Sequence, residues 1–421
     1  MKKYSWPLVH NADNESSRVQ EGIASTARRN LASMRASPNR AQALGYFDEI
    51  ITGDSRVKAL QRFNGKIIGT YCNFVPEELI YAAGAIPIRL CAGFHDTIAA
   101  AEKVLPPDVC PLVKSSFGAV TLKLPYFNLC QSLIVPTSCD GKKKLAEILG
   151  DYLPVWTLEL PQTKNIDTSL DRWLAEIIAL KKKLESFSGV KISKARLKSA
   201  IDLIHIRTEA FRRLHQIRKS EPPVISGRDV LLVIQCAFYD APESWIEKTN
   251  LLCDELEAKI KTAPKSNNPG PKTKRLLLTG APLIWPNYQI INTIEESGAV
   301  VVADELCSGT RYLYDSVEVD EWTMNGMLRA LGTRYLYPAT CPCFARADDR
   351  IDRIIQLVTE FGCRGVVYHN LRLCQNYSME QELVKSVLAD KKIPMLSLQA
   401  DYSQENLGAL KTRVEAFIEM I

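Results

Sequence analysis

The sequence predicts an α/β protein of two lobes. Each lobe is a parallel sheet with helices on both faces; a helical segment precedes the first and a helical block separates the two. Three observations carry this. Short β-prone apolar runs alternate with helix-length amphipathic stretches across residues 65–165 and again across 275–421, the pattern of parallel sheets. Between them, residues 166–262 show helical periodicity and no strand. Residues 263–274 (APKSNNPGPKTK) hold three prolines, a glycine and two asparagines, the clearest linker in the chain. The expected boundaries are therefore 1–64, 65–165, 166–262, 263–274 and 275–421.

Taken in order, Ser16 to Arg35 is polar and Ala-rich and reads as helix, and Arg40 to Phe63 as helix with a turn at Thr52-Gly53-Asp54. Lys66–Tyr71 is a strand. Pro76-Glu77-Glu78 suits the first turn of a helix, and Gly84 suits its C′ position. Ile86–Leu90 and Leu133–Val135 are strands, Lys142 to Leu149 a helix, and Val155–Leu160 a strand. In Thr168 to Phe187 the residues Leu170, Trp173, Leu174, Ile177, Ile178 and Leu184 form one stripe, with Thr168 and Asp171 resembling a capping box. Helices follow over Ser193 to Arg218, from Ile225-Ser226-Gly227 to Tyr239, and over Ala241 to Thr262. In the second lobe Arg275–Thr279, Ala299–Ala303, Gly365–His369 and Ile393–Leu398 read as strands. Helices lie within Pro286 to Gly298 and over Ile351 to Phe361, Glu380 to Ala389 and Asn406 to Ile421.

The chain has 421 residues, 46% hydrophobic and 24% charged, which excludes wholesale disorder and fibrous architectures. A net charge of +5 spread over this length, with no long basic stripe, argues against nucleic-acid binding. No apolar run approaches the ~18–20 residues a membrane span requires. The opening MKKYSWPLVHNADNESS starts basic, but its apolar stretch is too short for a signal peptide, so a cytoplasmic protein is expected.

In a reducing compartment, 12 cysteines point to metal or redox chemistry before disulfides. Ligands in open α/β sheets gather beyond the carboxyl ends of the strands. Cys72, Cys139, Cys307 and Cys374 each follow a strand, Cys110 lies in the loop PPDVCPLVKSS, and Cys341 and Cys343 form a C-x-C in PATCPCF. Helix starts near several of them favour thiolate. Cys130, Cys236 and Cys253 fall within apolar runs and Cys363 at a helix end, where core packing is the ordinary role; Cys91 is ambiguous. The paired C-x₂₋₄-C knuckles of structural zinc and a C-x-x-C redox pair are both absent, and the five histidines are scattered, with His369 reading as a strand-end residue rather than a base. No G-x-x-x-x-G-K-[ST], G-x-G-x-x-G or HExxH occurs. An iron–sulfur site held by thiolates from several loops, and a set of inert loop thiols, both stay open on these residues alone.

The stretch GTYCNFVPEELIYAAGAIPIRL, the Cys110 loop, PTSCDGKKK, ISGRD, DELCSGTRY, VVYHNLRLCQNYSMEQELVKSVLADKKIPMLSLQADY and LKTRVEAFIEM together resemble the 2-hydroxyacyl-CoA dehydratase / benzoyl-CoA reductase family, over about residues 40 to 421. The resemblance implies two Rossmann-like lobes with an iron–sulfur cluster between them. It also implies electrons from a separate ATP-hydrolysing activator that carries its own cluster, with which the missing phosphate loop is compatible. A dehydratase subunit with one [4Fe–4S] would use three cysteines, matching Cys72, Cys110 and Cys374. The additional Cys139, Cys307 and Cys341/Cys343 resemble the double-cubane branch, whose members are anaerobic homodimers that reduce small molecules. The implied ligands are Cys72, Cys110, Cys139, Cys307, Cys341 and Cys374, with Cys343 as the substitute for Cys341. Glu77 or Glu78 is a candidate proton donor, set against the plainer role of favouring a helix N-terminus. The competing expectations are the single-cubane dehydratase subunit, a non-catalytic electron carrier and a zinc-binding structural protein.

Overall fold

Eight short runs of β-branched and leucine residues set the architecture. The computed structural model describes residues 6, 13–164, 167–262, 273–346 and 348–421. Two four-stranded sheets are formed, and every strand pairing is parallel. The first holds β1 (Ile67–Thr70), β2 (Ile86–Arg89), β3 (Ser132–Pro136) and β4 (Val155–Leu158) in the order β2-β1-β3-β4. The second holds β5 (Lys274–Gly280), β6 (Ala299–Glu305), β7 (Gly365–Leu371) and β8 (Met395–Ala400) in the order β6-β5-β7-β8. Position for position the two orders are the same. The α/β class with two parallel-sheet lobes, expected from the alternation, is what the chain adopts.

The central strands are buried along their whole length, IIGT in β1, SLIVP in β3 and GVVYHNL in β7. Burial on both faces is why they read as continuous apolar runs rather than alternating ones. In each sheet the order reverses between the first strand and the third. The crevice beyond the carboxyl ends of β1 and β3, and of β5 and β7, is therefore where this topology places ligands.

The chain divides into two units, Met1–Ser25 with Gly53–Ile206 and Asp315–Arg346, and Thr26–Thr52 with Arg207–Tyr314 and Ala347–Ile421. In the first, helix Asp167–Ser188 sets Trp173, Ile177, Leu180 and Leu184 against Met327, Leu331 and Leu336 of helix Met324–Leu336 and against Ile68 and Ile134 of the sheet. In the second, helices Leu44–Thr52, Gly227–Cys236 and Pro242–Thr262 contribute Phe47, Val230, Trp245 and Leu256 to a core with Leu276, Leu278 and Val301. Ser226 caps its helix, its hydroxyl accepting from the Asp229 N–H at 3.1 Å. Most of the expected linker (263–272), and the N-terminal stretch read against a signal peptide apart from Trp6 and the residues from 13 on, lie outside the described residues. Lys274 already begins β5. Among the described residues no helix is long and apolar enough to cross a membrane.

Several boundaries differ from expectation, with identifiable causes. Thr168 lies inside helix Asp167–Ser188 and so is not its cap. Helices Pro111–Thr121 and Met324–Leu336 were not expected as helices. In the first, Lys114, Ser115 and Ser116 are buried and interrupt the apolar stripe. β6 and β7 run two residues further than their apolar cores because Asp304, Glu305 and Asn370 are buried in hydrogen-bonded settings. Helix Gln375–Asp390 starts five residues early, on the polar run QNYS, because Tyr377 is buried.

Gly280, which ends β5, has φ 113°, and an added Cβ would stand 1.9 Å from the His369 carbonyl oxygen. A Cβ on Gly69 in β1 would meet the side chains of Leu133 and Leu90, their tips at 2.4 Å. Backbone cannot yield as a leucine tip can. Gly280→Ala is expected to cost about 4 kcal/mol or more and Gly69→Ala about 1–3 kcal/mol, measured by urea unfolding. Equal midpoints for the two variants would contradict this reading of the β5–β7 approach.

Candidate functional site

Strand ends deliver cysteines to helix starts. Cys72 stands two residues beyond β1 and Cys139 three beyond β3, where it is the N-cap of helix Asp140–Leu149. Cys374 stands three beyond β7 and is the N-cap of helix Gln375–Asp390. Cys110 is the N-cap of helix Pro111–Thr121. None of the three makes a side-chain capping hydrogen bond, but each stands at the positive end of a helix, which favours thiolate and metal ligation. Cys307 lies two residues beyond β6, and Cys341 and Cys343 follow helix Met324–Leu336. Cys72 (φ 58°) and Leu373 (φ 64°), the residue before Cys374, hold left-handed backbone, the kind of local strain concentrated at functional turns.

Within the first unit five of the seven candidate thiols come together electrostatically. The Cys343 thiol is raised well above its usual range, first by its hydrogen bond with Cys341, then by burial, then by the charges of Cys341, Cys72 and Cys139. The Cys139 thiol is raised by burial, opposed by the Lys142 N–H and ammonium, and raised again by Cys110 and Cys341. Cys72 Sγ lies 3.3 Å from the Ser138 hydroxyl, next to Cys139. All 12 cysteines stand as thiols, not disulfides. Among the described residues no three His, Cys, Asp or Glu side chains are close enough to hold a single metal ion. Thiolates on one zinc, with bonds of about 2.3 Å, must crowd within about 4 Å of one another, whereas thiolates on a cubane each bind a different iron and stand further apart.

Sequence reasoning left Cys91 ambiguous. Its place two residues beyond β2 is the topological counterpart of Cys307 beyond β6. Burial pushes its thiol up, but the charges of Lys142 and Arg89, the Cys72 N–H and an Arg89 hydrogen bond outweigh it, and the net direction is down. The equivalence of strand order, invisible without the sheets, is the signal that finds it.

In the second unit Cys307 and Cys374 flank a buried charge network. Glu305, two residues before Cys307, pairs with Arg311 and Arg350, each at 3.0 Å, and accepts from the Thr279 hydroxyl at 3.0 Å. Arg350, fully buried, also pairs with Glu380 of the helix that Cys374 caps. Arg311 donates to the Tyr377 hydroxyl of that helix at 2.8 Å. Two arginines and two glutamates thus pin both cysteine loops to the sheet. His369 is buried on β7, with Nδ1 3.1 Å from the Ala281 carbonyl oxygen, and burial lowers its pKa to about 4. At neutral pH it is an uncharged strand residue.

The other cysteines are core residues in their surroundings. Cys236 and Cys253 are fully buried and Cys130 nearly so, and burial raises all three thiols. Cys363 is pushed up to about 12 by burial. Glu77 and Glu78 are both buried, and the Tyr335 hydroxyl donates to Glu78 Oε2 at 2.8 Å. This bond ties the helix that follows Cys72 to the helix that precedes Cys341. Burial raises the Glu78 pKa, which favours the protonated form a proton donor needs.

Residues 72–421 match the family described as 2-hydroxyglutaryl-CoA dehydratase, D-component. YjiM of Escherichia coli (strain K12), named provisionally as a dehydratase subunit, is 34% identical over 373 residues, covering 88% of this chain and 95% of that protein. Lactoyl-CoA dehydratase subunit beta of Anaerotignum propionicum is 24% identical over 359 residues, 84% of this chain and 91% of the relative. A benzoyl-CoA reductase subunit of Thauera aromatica is 22% identical over 364 residues, 85% and 91% respectively.

Removing one member of a buried ion network strands the rest. Arg350→Met is expected to cost about 3–5 kcal/mol, and Glu380→Gln in the same chain to recover part of it, read as urea-unfolding free energies. A loss below about 1 kcal/mol, the range of a solvent-exposed pair, would mean that the network does not hold the cysteine loops.

Proposed function

The chain belongs to the 2-hydroxyglutaryl-CoA dehydratase D-component family, and from that premise we propose an iron–sulfur reductase that holds a double-cubane [8Fe–9S]-type cluster. It accepts low-potential electrons from a separate ATP-hydrolysing iron–sulfur activator and reduces small molecules, working as a homodimer. The ligand set is Cys72, Cys110, Cys139, Cys307, Cys341 and Cys374, with Cys343 in place of Cys341 if that thiol turns away. The observation that carries the reading is the mutual influence of Cys72, Cys110, Cys139, Cys341 and Cys343 in one unit, three of them at a helix cap or a strained turn. A donor set made of thiols alone suits iron–sulfur clusters, and the buried cations beside it suit an anionic guest.

When bound, such a cluster supplies one-electron chemistry at low potential. The protein's own residues do the rest. The helix N-termini at Cys110, Cys139 and Cys374 supply positive potential near the cysteines. The Glu305, Arg350 and Glu380 network fixes the Cys307 and Cys374 loops. Glu78, whose burial raises its pKa and which accepts from the Tyr335 hydroxyl, is one candidate proton donor, and Glu77 is the alternative. ATP is hydrolysed on the activator in this reading, with which the missing phosphate-binding loop is compatible.

The second reading is the [4Fe–4S] subunit of a 2-hydroxyacyl-CoA dehydratase, favoured by relatives that are named as subunits of such enzymes. A non-catalytic electron carrier is the third, and it is separated by turnover. With activator and ATP present, consumption of substrate from a panel of small unsaturated and nitrogen-containing molecules excludes it.

Anaerobically purified protein is expected to hold about eight irons per chain with matching sulfide, against about four for a single cubane. Cys307→Ser is expected to lower iron to half or less, while Cys363→Ser leaves it unchanged. Wild-type iron in Cys307→Ser would favour the single cubane on Cys72, Cys110 and Cys374.

A further inference from the structure

We propose that Lys142 is a positioning residue, a fixed buried counter-charge that stabilises the reduced state of the thiolate-held cluster. The inference rests on the iron–sulfur reading above and deepens it. Three consecutive lysines follow Cys139, and two behave ordinarily. Lys143 and Lys144 are 54% and 70% exposed and pair with Asp140 and Glu147. Lys142 is only 3% exposed, and its ammonium has no hydrogen-bond acceptor among the described residues.

Its Nζ stands over an aromatic face, 4.3 Å from the centroid of the Tyr71 ring. The Tyr71 hydroxyl is itself buried and has no hydrogen-bond partner among the described residues. A cation–π contact returns less than the desolvation of an ammonium costs, so the ring does not account for the burial. The groups that feel the Lys142 charge are Cys91 and Cys139. Arg89, 2% exposed at the end of β2, adds a second cation beside Cys91 and bonds Asn73, the residue after Cys72. Neutral thiols offer these cations little. An anionic sulfur assembly on Cys72 and Cys139 gives the Lys142 ammonium the counter-charge that no hydrogen-bond acceptor among the described residues supplies.

The energetic consequence concerns one electron. Reduction adds a single negative charge with no proton and no bond made or broken, so a fixed cation nearby favours the reduced form. Cys91 could instead serve as Lys142's own counter-ion, and then the cluster would not feel the charge.

The test uses anaerobically reconstituted full-length protein, with iron content and reduction potential measured for wild type, Lys142→Met, Lys142→Gln, Lys142→Arg and Tyr71→Phe. An EPR-monitored titration with a chemical reductant supplies the potential. With iron retained, Lys142→Met and Lys142→Gln are expected to favour the reduced form about tenfold less, about 59 mV lower for one electron. Lys142→Arg and Tyr71→Phe are expected to stay near wild type. Loss of iron in both neutral variants, with Lys142→Arg retaining iron, supports the same requirement for charge. Wild-type iron and an unchanged potential in Lys142→Met overturn the proposal, as does loss of iron in all three Lys142 variants, which would show packing rather than charge. Wild type that binds no iron overturns the underlying cluster reading as well, so the two failures are told apart.

Discussion

Charge crowding is the constraint on which this architecture turns. Several thiolates cannot share a desolvated region unless positive potential is built in around them, because burial penalises each charge and each raises the next one's pKa. The upward shifts at Cys139 and Cys343 show that cost in the first unit. The parallel sheet supplies the remedy through its connectivity. Every strand end leads toward a helix start, so Cys139 and Cys374 become N-caps by position in the chain, and Cys110 gains the same setting from a helix begun by proline. Lys142 and Arg89 add discrete cations where the backbone's partial charges end.

The two sheets meet the constraint by different means. In the first, strained backbone at Cys72 and the Tyr335–Glu78 bond hold neighbouring loops in place. In the second, a balanced set of two largely buried arginines and two buried glutamates does this work. The shared strand order makes the comparison direct. Cys139 corresponds to Cys374 and Cys91 to Cys307, so the strand order common to both sheets also organises the thiols.

Much of this was legible in the residues. Continuous apolar runs marked the central strands β1, β3 and β7 most clearly, because strands buried on both faces have no polar side to show. Gly84 at φ 72° and Ser226 behaved as the turn and cap chemistry required. The loop placement of the seven candidate cysteines followed from the strands. Less was legible where polar residues are buried. Lys114, Ser115 and Ser116 hid a helix, QNYS hid the first turn after Cys374, and Asp304 and Glu305 hid the end of β6, since hydropathy cannot anticipate a partner that arrives from elsewhere in the chain. The caps at Cys110, Cys139 and Cys374 were obscured for the same reason. The special standing of Cys91 and Lys142 depended on sheet order and burial, neither of which a linear pattern contains.

The most direct measurement is X-ray absorption at the iron edge on protein purified without oxygen. The account expects an iron first shell made of sulfur alone, with iron–iron scattering from a polynuclear cluster. Iron bound through nitrogen and oxygen without iron–iron scattering, or no iron at all, would contradict it.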